Sequence, residues 1–152
     1  MSLVGIHSSG PTVRLCGIDD DGRVEFAECV TGDQPFSTQD LLSPGDRFAS
    51  TVSNCLRNKN VPIYLALPGG AYQIRRVPLE VAEEVDRRSQ VAWEVTQTLS
   101  AKNGDYSINY VVRGSSAIWV AVPTSCVDGL TSAFLDCGVT LAGVCAGSIA
   151  MA

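Results

Sequence analysis

The sequence predicts an α/β fold built from short strands and a few longer helices. Short apolar segments of strand length recur between turn-forming residues, and longer segments repeat apolar residues at helical spacing. The chain has 152 residues, of which 45% are hydrophobic and 18% charged. A chain of this length and composition can bury a core without disulfides or a structural metal.

The first part of the chain is predicted to form a three-stranded meander. The Asp-Gly step at Asp21-Gly22 favours a hairpin turn, because both residues tolerate positive φ. Val24 and Phe26 alternate with charged neighbours, as in a strand with one buried face. The three predicted strands occupy residues 3–6, 12–18 and 23–30.

A helix and a buried strand follow the meander and a polar loop at residues 32–40. Ser43 is suited to cap the helix and Pro44 to occupy its first turn. Residues 61–67 are almost continuously apolar, which favours a strand covered on both faces. Pro68-Gly69-Gly70 then turns the chain.

The second part of the chain alternates strands with two further helices. Strands are predicted at 72–77, 106–113, 117–122 and 139–144, and helices at 80–99 and from Thr124 or Ser125 to Gly138. The long helix is predicted to bury one apolar stripe. That stripe consists of Val81, Val85, Ala92, Val95 and Leu99. Trp93 and Trp119 are both predicted to lie in the core.

The predicted order is βββαβ, then βαββαβ, then the start of a helix at residues 147–152. This order divides the chain into a first subdomain at 1–69, an inserted two-helix subdomain at 70–142, and a return to the first subdomain at 143–152. Because the chain stops within this last helix, we expect either a fragment or a protein that has lost its second half.

Charge and cysteine usage exclude several classes of function. The net charge of −5 argues against nucleic acid or anionic lipid as the main partner. No run of about 18 apolar residues and no signal peptide is present, which predicts a cytoplasmic protein without direct membrane insertion. The six cysteines form no C-x-x-C pair and His7 is the single histidine, so no metal site is expected.

Four stretches, in this order, resemble the N-terminal half of the PilM family, the FtsA-related, actin-like proteins of type IV pilus assembly. Residues 5–15 (GIHSSGPTVRL) align with the family's first phosphate loop, G-I-D-I-G-S-S-x-V-K-L. Residues 66–68 with 75–79 match A-L-P…R-x-x-x-L-P, and residues 90–94 (QVAWE) match the centre of the long helix. Residues 119–123 with 137–139 match the L-V-A…A-G-L segment. The resemblance implies an actin-like (RNase H-like) first-half topology.

The same resemblance places a degenerate nucleotide site at His7, Ser8, Ser9 and Gly10. His7 replaces the family's Asp, which serves the nucleotide-bound magnesium, and a neutral imidazole is a poor ligand for that ion. Ser9 replaces a Gly that lets the backbone approach phosphate. We therefore expect no ATP, no Mg²⁺ and no catalysis, with a nucleotide-binding ATPase fragment as an alternative.

In PilM-like proteins, a groove between the two subdomains takes the cytoplasmic N-terminal peptide of a membrane partner, PilN. By this resemblance the chain is a cytoplasmic scaffold module, recruited to the inner membrane through a PilN-like partner. Arg75 and Arg76 are candidate partner-binding residues, since adjacent residues of a strand point to opposite faces. An incomplete actin-like sheet would also expose an apolar face, which predicts a homo-oligomer as a further possibility.

A different class of function is indicated by residues 143–147, which read G-x-C-x-G between a strand and a helix. That context is typical of a nucleophile elbow, in which a strained turn exposes a Ser or Cys beside helix N–H donors. Cys145 would be the nucleophile of a hydrolase, and His7 is the only histidine that could serve as its base.

Overall fold

The computed structural model describes residues 3–9, 12–31, 36–42, 46–80, 83–100, 102 and 104–150. The chain divides into two compact units. Unit 1 comprises Met1–Ala71 and Cys126–Ala152, and unit 2 comprises Tyr72–Ser125. Among the described residues, no helix combines the length and apolarity needed to cross a bilayer.

The order of strands and helices confirms the predicted α/β class, with one additional short helix. The elements are β1 (Leu3–Ser9), β2 (Thr12–Ile18), β3 (Val24–Thr31), α1 (Thr38–Leu42), α2 (Asp46–Cys55), β4 (Ile63–Leu67), β5 (Gln73–Pro78), α3 (Glu84–Leu99), β6 (Tyr106–Arg113), β7 (Ser116–Pro123), α4 (Thr124–Asp136), β8 (Leu141–Ala146) and α5 (Gly147–Ala150).

Unit 1 contains a five-stranded mixed sheet in the order β3-β2-β1-β4-β8. The meander β1-β2-β3 is antiparallel, whereas β4 pairs in parallel with both β1 and β8. Asp19 Oδ1 accepts the N–H groups of Asp21 and Arg23 and so closes the predicted turn between β2 and β3. Every second residue of a strand points to the same face of the sheet, and apolar residues such as Val4 and Ile6 are buried on one face.

The core of unit 1 is organised around three aromatic rings. The Phe48 ring lies 5.4 Å from that of Phe36 and 6.1 Å from that of Phe134, both in edge-to-face geometry. Phe48 lies on α2 and Phe134 on α4, so these rings join the two helices. Edge-to-face pairs stabilise beyond simple burial because the ring edge is positive and the face negative.

Unit 2 contains a three-stranded antiparallel sheet in the order β5-β7-β6, with α3 on one face. Val91 and Val95 of α3 pack against the strand residues of this small core. Those strand residues are Val77, Ala117, Trp119 and Ala121. The prediction that Trp119 lies in the core is confirmed, since 1% of it is exposed.

Helix α3 buries a narrower and different stripe from the one predicted. Val91 and Val95 are buried, whereas Val85 and Trp93 are 77% and 60% exposed. The prediction that Trp93 is a core residue is therefore wrong. Two residues advance about 200° around a helix, so Trp93 cannot share the face of Val91 and Val95. Val81 of the predicted stripe lies outside the described residues.

Helix α1 occupies part of the stretch that was predicted as a polar loop. Ser37 and Asp40 form a reciprocal capping box: Asp40 Oδ2 accepts the Ser37 N–H at 2.7 Å, and the Asp40 N–H donates to Ser37 Oγ at 3.2 Å. The pKa of the Asp40 carboxyl is lowered from its ordinary value, mainly because the carboxylate accepts the hydrogen bond from the Ser37 N–H. The predicted helix start at Ser43-Pro44 lies outside the described residues, and α2 is described from Asp46.

The boundaries of the units differ from the predicted division at 69/70 and 142/143. Most of α4 belongs to unit 1, although the whole helix was predicted within the inserted subdomain. The reason is packing: Cys126 Sγ donates to Leu41 O at 3.1 Å, and the Phe134 ring contacts that of Phe48. The apolar face of a helix is visible in a sequence, but the surface that it covers is not.

Candidate functional site

Strand β1 carries three of the four residues of the predicted phosphate loop. His7, Ser8 and Ser9 pair with Arg14, Val13 and Thr12 of β2. His7 also pairs with Ala66 of β4 on the other side. The backbone of His7 and its neighbours therefore lies in a regular ladder, and Gly10 lies outside the described residues.

The side chains of these residues point to opposite faces of the sheet. Ser8 is buried on the same face as Val4 and Ile6. His7 points to the other face, which we call the open face of unit 1. The strand registers place Cys29, Arg14, His7, Ala66 and Cys145 in one row across all five strands.

The open face contains a shallow depression of about 570 Å³. Small residues of the neighbouring row form its floor, and Tyr64, which is half-exposed, stands beside them. The members of that row are Ala27, Cys16, Gly5, Tyr64 and Gly143. Among the described residues that line it, Arg14 is the one cation and Glu28 the one carboxylate, so this lining is mostly apolar.

His7 lies close to the turn that joins β8 to α5. A Cβ on Gly147 would lie 3.5 Å from His7 Nε2 and 2.6 Å from the carbonyl oxygen of Leu67. The second distance is shorter than real contacts between a Cβ and a backbone oxygen, so only glycine, which has no Cβ, fits at position 147. The predicted G-x-C-x-G stretch thus owes its final glycine to close packing against β4.

Cys145 lies in regular β8, next to Ala66 in the parallel ladder. The only non-glycine residue with positive φ in the described part of the chain is Ser100, so the strained turn of a nucleophile elbow is not seen at Cys145. His7 and Cys145 both line the depression of the open face, and β4 lies between their strands, which separates the two backbones by about 10 Å.

Partial burial raises the pKa of the Cys145 thiol above its ordinary value. A raised pKa reduces the thiolate fraction at neutral pH, whereas nucleophilic cysteines have lowered values. Within the described residues, no group of three or more His, Cys, Asp or Glu side chains could hold a metal ion.

We expect Cys145 to react slowly with iodoacetamide at neutral pH, and the rate to rise about tenfold per pH unit until the pH passes its raised pKa. Cys29 and Cys145 are both exposed on the same face, so Cys29 provides the reference rate. Peptide mass spectrometry after timed quenching measures both sites in one sample. Faster labelling of Cys145 than of Cys29 at pH 7 would contradict this expectation and favour the hydrolase interpretation.

In unit 2, the two candidate arginines lie on opposite faces of β5, as predicted. Arg75 lies on the side of α3, with its Nη1 atom 3.5 Å from Thr98 Oγ1. Arg76 lies on the other side, which we call the outer face of unit 2, and its Nε donates to Ser116 Oγ at 2.8 Å. Strand alternation accounts for this split.

The outer face of unit 2 also presents apolar side chains that the sequence analysis did not single out. Ile74 and Val111 are exposed, and Ile118 and Val120 are half-buried. The registers place Arg76 and Val111 on either side of Ile118. The sequence contains a signal for this face: Val111 interrupts the apolar–polar alternation of β6 and so gives that strand apolar residues on both sides.

Sheet order and element order together define the first half of an actin-like α/β fold. The structure is similar to a chain of the solved PilM–PilN type IV pilus biogenesis complex, with a TM-score of 0.78, 13% identity, and coverage of 99% of this chain and 48% of that one. The predicted resemblance to PilM is thereby confirmed at the level of the fold.

A second similar structure is the cytoplasmic domain of EpsL, an inner-membrane component of the type II secretion system of Vibrio cholerae. Its TM-score is 0.61 at 11% identity, with coverage of 94% of this chain and 56% of that one. The chain thus spans about half the length of the structures that it resembles. No protein family and no curated protein matches it by sequence.

Proposed function

We propose that this chain is a non-hydrolysing scaffold module of a type IV pilus or related secretion assembly. It would bind the cytoplasmic N-terminal peptide of a PilN-like inner-membrane protein, and so be recruited to the membrane from the cytoplasmic side. The observation that supports this most is the match of 99% of this chain to a chain of a PilM–PilN complex. A component of another secretion assembly is also similar.

The outer face of unit 2 is the surface that we assign to the peptide. Peptide recognition needs apolar pockets and a few polar groups that set register. Exposed Ile74 and Val111 supply apolar area, and Arg76 and Arg113 supply cations beside them. Such a surface suits an extended apolar segment that carries acidic residues.

The arrangement at β1 supports a role without ATP hydrolysis. His7 and Ser9 are paired on β1, and Ser8 is buried, so their backbone N–H groups do not form the free loop that cradles phosphate. In thermal melts we expect saturating Mg·ATP to leave the midpoint unchanged. A nucleotide at about 100 times its Kd would stabilise by about 2.7 kcal/mol, and a shift of that size would restore the ATPase alternative.

The peptide proposal is tested by titration calorimetry with the N-terminal cytoplasmic peptide of the PilN-like protein of the same organism. We expect Arg76→Glu to weaken binding at least tenfold, which corresponds to about 1.4 kcal/mol. Arg75→Glu is the matched control, because it makes the same charge change on the opposite face of the same strand. Absence of binding by the unchanged chain, or equal losses in both variants, would contradict the proposal.

A further inference from the structure

The two edges of the unit 2 sheet differ in how well they are protected from pairing. Strand β5 carries Arg75 and Arg76 on its two faces and ends in Pro78, which are features that discourage edge-to-edge pairing. Strand β6 has eight residues, no proline, and no charge before Arg113 at its end. In the described part of the chain, only β7 pairs with β6. A long edge strand without proline and without charge before its end is a template for another strand.

One hydrogen bond shows which backbone groups of β6 point outward. The Tyr110 N–H donates to Oδ1 of its neighbour Asn109 at 2.8 Å, and so it is turned away from β7. Backbone groups alternate along a strand, so Ile108, Tyr110 and Val112 all direct N–H and C=O to the free edge. Their side chains lie on the α3 side of the sheet, opposite Ala121, Trp119 and Ala117.

The same three residues line a groove of about 610 Å³ between α3 and β6. The core beneath α3 is formed by β5 and β7, with Tyr106 and Tyr110 of β6 packed against it, whereas Ile108 and Val112 stay partly exposed. On the helix side, the groove is lined by Val85, Glu84 and Arg88. The floor of the groove is thus apolar and its helical wall carries one charge of each sign.

The two charges of the groove are not paired with each other. Tyr110 Oη donates to Glu84 Oε1 at 2.7 Å, and Arg87 Nη1 lies 3.7 Å from Glu84 Oε2. Arg88 lies one helical turn beyond Glu84 and has no carboxylate within 4.0 Å among the described residues. An acidic group supplied from outside the chain would therefore complete this wall.

We propose that β6 pairs antiparallel with β6 of a second copy of this chain, about a two-fold axis at Tyr110. In this register Ile108 lies opposite the partner's Val112, so the apolar side chains meet across the junction. The three outward-pointing residues of each chain exchange backbone hydrogen bonds, which joins two three-stranded sheets into one of six strands. Asn109 releases the Tyr110 N–H to make this exchange.

Charge supports a second copy as the occupant. Glu84 and Arg88 are opposite charges four residues apart on α3. A two-fold axis sets the two copies of a helix antiparallel, so each charge of the pair lies opposite the other charge of the partner. Arg88 then faces the partner's Glu84, and the same contact occurs twice in the dimer. A foreign peptide would have to bring its own carboxylate to the same position, and a monomer that binds acidic peptides is an outcome against the proposal.

The experiment is sedimentation velocity on the full chain, at concentrations from the micromolar to the millimolar range. We expect a monomer–dimer equilibrium that Val112→Pro abolishes. Proline at this position removes only an outward N–H and leaves the ladder to β7 intact. A far-UV circular dichroism spectrum like that of the unchanged chain shows that the variant is folded.

Charge variants provide a test that does not depend on proline. Arg88→Glu and Glu84→Arg should each weaken self-association at least tenfold, and a mixture of the two should form a heterodimer. Arg75→Glu, on the opposite edge strand, should leave association unchanged. The proposal is overturned if the chain is monomeric at millimolar concentration, if Val112→Pro leaves the dimer intact, or if the mixture fails to associate.

Discussion

Replacement of Trp119 by alanine should lower the free energy of unfolding of unit 2 by about 3–5 kcal/mol, the usual range for truncation of a buried tryptophan. Trp119 is the largest fully buried side chain, and it lies among Val91, Val95, Ala117 and Ala121. These residues are too small to fill the cavity that alanine would leave. Urea denaturation monitored by far-UV circular dichroism measures the loss.

The same substitution at Trp93 is the matched control. Its side chain is exposed on the outer side of α3, so Trp93→Ala should change the stability by less than about 0.5 kcal/mol. Fluorescence quenching by iodide separates the two side chains, since only Trp93 is accessible to the ion. Equal losses in the two variants would contradict the assignment of Trp119, and not Trp93, to the core.

Phe48→Ala should destabilise unit 1 by a similar amount, about 3–5 kcal/mol. Phe48 is fully buried and is the central ring of the three aromatic rings that join α2 to α4. Its removal leaves a cavity and also breaks two edge-to-face contacts, each worth about 0.5–1.5 kcal/mol beyond burial. Loss of far-UV signal with urea again gives the measurement.

Leu135→Ala is the control for this second prediction. Leu135 follows Phe134 on α4, but it is exposed. We expect a change within about 0.5 kcal/mol, because the truncated atoms already face solvent. If Leu135→Ala proved as costly as Phe48→Ala, then the face of α4 that packs in unit 1 would be misassigned.

The candidate surfaces differ in how far the sequence could reveal them. The split of Arg75 and Arg76 between two faces follows from alternation alone, and the structure confirms it. The row that joins His7 to Arg14 and Cys145 depends on β4 lying between β1 and β8. Those strands are far apart along the chain, so no local pattern could have predicted that row.

Local periodicity was sufficient for the order of strands and helices apart from the short helix α1, and this order carries the resemblance to half of an actin-like fold. Residues of one face recur at every second position of a strand and at every third or fourth position of a helix. Both patterns can therefore be recognised in the sequence of a single segment. Turn residues such as Gly22 and Gly138 were also predictable, since both adopt positive φ.

Tertiary packing alone decided which side of each element is covered. Val85 and Trp93 are apolar residues of α3. The three-stranded sheet of unit 2 does not cover their side of the helix, so both are exposed. Helix α4 extends into unit 1 because Cys126 and Phe134 meet Leu41 and Phe48 there. The physical reason is that burial depends on contacts between distant segments, whereas periodicity records only the repeat of a single segment.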